Sequence, residues 1–98
     1  MKAEATVTVD SPNGLHARPA MALVDAANGF ESDITLTKPP GDDEGGGAEP
    51  TVVDAKSVMQ VITLAAVQGT SLTIVAEGDD ADAAVAALVE LFERQFDE

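Results

Sequence analysis

The residues best suited to chemistry stand together in Asn13-Gly14-Leu15-His16-Ala17-Arg18-Pro19-Ala20. His16 is the only histidine of the chain. Pro19 three positions later suits the first turn of a helix, where a missing N–H costs nothing. A helix that starts here offers the N–H groups of Ala17 and Arg18, and the positive end of its dipole, to an anion. The Arg18 guanidinium adds a planar fork that matches phosphate oxygens. The same helix end disfavours imidazolium, which leaves His16 neutral and nucleophilic. Once a phosphoryl group is on the ring, those N–H groups and Arg18 stabilise it. No acid, base or second nucleophile is apparent beside His16, so the group should be stored and not hydrolysed.

The elements that must hold this segment follow from patterning. Ala5, Val7 and Val9 alternate with Glu4, Thr6 and Thr8, which predicts a half-buried strand over residues 3–9. A helix is expected over residues 17–28, with Ala20, Leu23, Val24 and Ala27 as its apolar stripe and Asn28-Gly29 as its stop. Phe30 should pack under that helix end. Ile34 and Leu36 mark a second strand, and Thr51 to Asp54 a short third one. Between them, residues 39–50 form an acidic Gly/Pro-rich loop insertion with nothing to bury. Ser57 is expected to cap a helix that runs to Ala66. Its core stripe is Val61, Leu64 and Ala65, and Gln68-Gly69-Thr70 ends it. Ser71 to Glu77 is a fourth strand. Asp79 and Asp80 open a last helix, where negative charge suits the dipole, with Ala81, Ala84, Val85, Leu88, Leu91, Phe92 and Phe96 facing the core. The order β-α-β-β-α-β-α predicts an α+β fold: a four-stranded antiparallel sheet with three helices on one face, in one domain spanning residues 1–98.

Composition narrows the function. Eighteen Asp and Glu against five Lys and Arg give a net charge of −13. Nucleic acid and anionic membranes both need the opposite sign. The acids are read as scattered over every segment, which favours adaptation to high salt over an acidic face for a basic partner. Stability should then rise from dilute buffer to molar salt, as screening relieves self-repulsion. There is no cysteine, and one histidine cannot build a zinc site. Met1 to Asp10 has no apolar signal region, and no run approaches a membrane span. The expectation is a cytoplasmic protein. Lys38 and Lys56 are read as solvated.

Gly14-Leu15-His16-Ala17-Arg18-Pro19-Ala20 resembles the active-site signature of the HPr family, the histidine-containing phosphocarriers of the phosphoenolpyruvate-dependent sugar phosphotransferase system. Asp54-Ala55-Lys56-Ser57-Val58-Met59 is similar to the family's second motif, and Gln68-Gly69-Thr70 and Ala76-Glu77-Gly78 also fit. The resemblance implies an open-faced β-sandwich, departed from only at the acidic insertion. It implies that His16 is phosphorylated on Nδ1 by Enzyme I. His16 would then donate to an Enzyme II A-type subunit, or to a dihydroxyacetone-kinase phosphotransferase subunit. Arg18 would help hold the group. The chain would act as a monomeric, stoichiometric carrier, not an enzyme, with no cofactor and no metal. Ser57 stands where some family members are phosphorylated by a regulatory kinase; as a bare residue it reads as a helix cap.

Three other readings remain: a non-transferring regulatory relative, a small-molecule-binding regulatory domain, and a small acylphosphate hydrolase. The intact His16 and Arg18 weigh against the first. The second predicts an unexceptional histidine. The third needs a water-positioning side chain that the sequence does not offer. If both short helices begin near the anion site, Met21, Val58, Met59 and Ile62 form an apolar docking patch beside His16.

Overall fold

In a computed structural model, residues 1–10, 14–15, 17–39, 50–64 and 68–94 are described. Strands β1 (Lys2–Thr8), β2 (Asp33–Lys38), β3 (Thr51–Asp54) and β4 (Ser71–Glu77) form one antiparallel sheet in the order β1-β4-β2-β3. Helices α1 (Ala17–Ala27), α2 (Val58–Thr63) and α3 (Ala81–Glu93) cover one face. The expected α+β order and antiparallel sheet are what the chain adopts.

Alternation sets which face is covered. β4 is central and turns Leu72, Ile74 and Ala76, all fully buried, toward the helices. Ala76 lies between Ala3 and Ile34, and Ile74 between Ala5 and Leu36, so each row of the core crosses three strands. The opposite face carries Thr6, Thr73, Thr37 and the exposed Val52 in another row and stays open.

The helices close over these rows with period-3.6 stripes. On α1 Ala20, Leu23 and Ala27 are fully buried, and Val24 is half-buried. α3 seats Ala81, Ala84, Val85, Leu88 and Phe92 against β1 and β4, with Leu91 half-buried at the margin. α2 rests on β3 and α1, with Val61 and Leu64 buried. Phe30 packs against the core from just beyond α1, as expected. Phe96, Ala65, the 40–49 part of the acidic insertion and His16 lie outside the described residues.

Local connections fix the strand ends. Val9 N–H donates to the Thr70 carbonyl at 2.8 Å, and Gly69 N–H to the Val9 carbonyl at 2.7 Å. Gly69 sits at φ 93°, which a side chain would strain. These bonds fasten the exit of β1 to the entry of β4, at the end of the sheet from which the chain proceeds to α1.

Candidate functional site

Gly14 has φ 71°, a left-handed conformation that glycine adopts freely, and is buried. Leu15 follows, 4% exposed and part of the core. This anchor and the buried Pro19 and Ala20 bracket the start of α1. Between them Ala17 and Arg18 are exposed. The first-turn N–H groups of a helix have no intrahelical acceptor, and no acidic side chain lies in α1's first turn. Among the described residues Arg18 forms no ion pair. Two N–H groups, a positive helix end and an exposed guanidinium together can hold a phosphate-sized anion. His16, immediately before this turn in sequence, lies outside the described residues.

The second motif caps a helix through Ser57, as expected. Ser57 caps α2, its Oγ accepting from Gln60 N–H at 3.3 Å, and is half-buried. Gln60 Oε1 in turn accepts from Asp54 N–H at 2.9 Å, and Asp54 Oδ1 accepts from Lys56 N–H at 2.9 Å. Ser57 and Gln60 thus form a variant capping box that reaches back to Asp54 rather than to Ser57 itself.

This cap does not sit beside the start of α1. Asn28 Nδ2 donates to the Lys56 carbonyl at 3.2 Å, and Lys56 Nζ donates to the Phe30 carbonyl at 2.8 Å. At the other end of α2, Lys38 Nζ reaches the Leu64 carbonyl at 3.4 Å. The two helices therefore run antiparallel, and the expectation that both begin near the anion site is wrong. Eleven residues at 1.5 Å each make α1 about 16 Å long, and Lys56, next to Ser57, is fastened beyond the end remote from Ala17. Lys56 and Lys38 are also not simply solvated: both are half-buried and hold carbonyls.

The antiparallel pairing redistributes the apolar residues. Counted along each helix from the Asn28–Lys56 contact, Met21 on α1 and Ile62 on α2 are both about 10 Å away. Met59, one turn back, shares a face with Ile62. Met21 is 57% exposed, Met59 71% and Ile62 42%. Val58 differs: it is half-buried and packed against the core.

Two features escaped the sequence reading. The acids are not scattered over every segment: residues 11–24 and 55–76 contain none of the eighteen. Those stretches supply the start of α1 and all of α2. In addition, Asp80 does not cap α3 through its side chain. Its carboxylate accepts from Glu31 N–H and Ser32 N–H, each at 2.9 Å, and from Ser32 Oγ. These bonds, the Ser32 hydroxyl first, hold the Asp80 carboxyl below its ordinary range.

Comparison with known proteins agrees with this architecture. Residues 3–94 match the family described as the PTS HPr component phosphorylation site. The phosphocarrier protein HPr of Haloferax volcanii is 42% identical over 88 residues, covering 90% of each chain. That of Treponema pallidum is 40% identical over 93 residues, 95% of this chain and 94% of its own. Among solved structures, HPr-C-His from Thermoanaerobacter tengcongensis superposes with a TM-score of 0.81 at 36% identity, covering 98% of this chain and 97% of that one. With sheet order, helix placement and sequence in agreement over nearly its full length, the chain belongs to the HPr family of the phosphotransferase system.

Proposed function

We propose that this chain carries a phosphoryl group on His16 Nδ1, received from Enzyme I and passed to an Enzyme II A-type subunit or a dihydroxyacetone-kinase phosphotransferase subunit. One observation carries the reading. The sole histidine directly precedes an exposed, acid-free helix start bearing Arg18, in a chain of net charge −13. A surface under no demand to hold an anion would have no reason to exclude carboxylates there.

In the transfer, the neutral imidazole nitrogen attacks phosphorus as the donor's bond to the phosphoryl group breaks. The carrier's work is positioning and charge compensation. Arg18 and the first-turn N–H groups of Ala17 and Arg18 neutralise the equatorial oxygens. The same contacts hold the product, and the first turn of α1 carries no acidic side chain to activate water against it. The chain acts as a monomer in the cytoplasm, a stoichiometric carrier rather than a catalyst. Met21, Met59 and Ile62 seat donor and acceptor in turn, with Val58 at the edge of that surface. Ser57 is a cap, and any regulatory phosphorylation there acts on α2 and its docking surface, not on the phosphoryl site directly.

Incubation with phosphoenolpyruvate and Enzyme I tests this. The expected product is a stoichiometric phosphoprotein, labile in acid and stable in alkali. His16→Ala should abolish it while the melting curve stays close to wild type. Acid-labile phosphate on the variant, or release of inorganic phosphate by the wild type, would sink the assignment.

A further inference from the structure

Every methionine of this chain is on its surface: Met1, Met21 and Met59 are 70%, 57% and 71% exposed. The core holds no sulfur at all, and the chain has no cysteine. Methionine is ordinarily a core filler, so its placement here is selective. Two of the three fall in the acid-free stretches: Met21 in residues 11–24, and Met59, one turn from Ile62, in residues 55–76. Met1 precedes β1, the edge strand opposite β3, and its carbonyl accepts from Gly78 N–H.

We infer that Met21 and Met59 form an oxidation site through which peroxides weaken the docking of phosphoryl donors and acceptors. The inference rests on the carrier reading above. In the step, the thioether sulfur attacks the terminal peroxide oxygen. The O–O bond breaks, an S–O bond forms, and sulfur gives up two electrons as the hydroperoxide becomes an alcohol or water. A dithiol reductase reverses it, taking the oxygen as water and closing its own disulfide. The product is a polar, chiral sulfoxide in place of an apolar, adaptable side chain. On a surface whose attraction is apolar, each sulfoxide must be desolvated for a partner to seat. The fold has little to lose, because neither side chain is in the core. Both sulfurs belong to side chains more than half exposed in the free chain.

Peroxide treatment of the full chain tests the inference, with sulfoxide at residues 1, 21 and 59 quantified by peptide mass spectrometry. Phosphorylation by Enzyme I is then followed as a function of carrier concentration. Oxidation should raise the carrier's KM about fivefold with kcat within about twofold, and methionine sulfoxide reductase should restore it. In Met21→Leu/Met59→Leu the ratio of oxidised to reduced KM should fall to one, whatever its basal value, since only Met1 remains oxidisable. An unchanged KM in fully oxidised wild type overturns the inference, as does a rise that persists in the double variant. So does a rise traced to unfolding in a melting curve. A reduced chain that takes no phosphoryl group from Enzyme I would instead overturn the carrier reading, and this inference with it.

Discussion

Lys56 Nζ donates to the Phe30 carbonyl at 2.8 Å, while the Lys56 carbonyl accepts from Asn28 Nδ2 at 3.2 Å. One residue thus receives from and gives to the segment that closes α1. Asn28 Nδ2 also donates to the Val24 carbonyl at 2.9 Å, so α1 is ended by an asparagine side chain and not by a left-handed glycine. The contact makes the interval between β3 and α2 a clasp on the end of α1 that is remote from Arg18.

Lys56→Met should therefore lower stability by about 1 kcal/mol, the net worth of one such bond. Urea unfolding would read it as a lower midpoint at unchanged slope. Phosphoryl acceptance should stay near wild type, because the clasp is far from the start of α1. A large loss of acceptance without loss of stability would place Lys56 at the partner surface instead.

Arg18→Lys should slow transfer from Enzyme I about three- to tenfold, since lysine keeps the charge and loses the planar fork. Stopped-flow or quenched transfer measures it. Equal rates would mean that charge alone is used.

Val58 and Ile62, grouped together by sequence, should separate. Ile62→Glu places a carboxylate on an exposed position and should leave the melting temperature within a few degrees while raising the KM for Enzyme I. Val58→Glu buries part of a charge against the core and should cost about 1–3 kcal/mol of stability. Paired melting and kinetic measurements check both. If Ile62→Glu unfolds the domain, the docking surface must be sought elsewhere.

Asp80 ties α3 to the turn before β2, and its depressed titration has a sign. A carboxyl lowered in the fold stabilises the fold above its unfolded value of 3.8, and that contribution drains away as pH falls below it. Asp80→Asn should thus lower the melting temperature at neutral pH and flatten the loss of stability below about pH 4. A variant whose acid limb parallels wild type would show that other carboxylates carry the acid transition.

The strands were the most legible part of the chain. Leu72, Ile74 and Ala76 on one side mark β4 as Ser71–Glu77, and the return from the acidic insertion marks β3 as Thr51–Asp54, the bounds the structure has. The stripe of α1 was equally plain, because Ala20, Leu23 and Ala27 are spaced as one face. The roles of Lys56, Lys38 and Asp80 were not, since each partner lies 26 to 49 residues away and leaves no local pattern. The direction of α2 was within reach. α1 ends where β2 begins, and β3, antiparallel to β2, ends there too. A helix that follows β3 directly must start beside the end of α1. Charge was misjudged for a different reason: net charge averages over the chain and conceals two stretches without acid. His16 and Arg18 stand out in the sequence because a helix start that binds an anion needs few residues, all adjacent; the structure exposes Arg18 at the start of α1, and His16 lies outside the described residues.

The strand order β1-β4-β2-β3 has a further consequence, for how the chain reaches this shape. Only β2 and β3 can zip as neighbours in sequence. β1 waits for a partner that begins at Ser71, and β2 waits for the same strand on its other edge. The central strand is therefore the last to be synthesised. A nascent chain that has not yet delivered Glu77 from the ribosome can form a hairpin and nascent helices but no sheet core. Closing so long a loop places the domain among the slower topologies for its size. The exit of β1 inherits this order: Val9 depends on Gly69 and Thr70, so the end of β1 that precedes α1 is fastened only when the entry to β4 arrives.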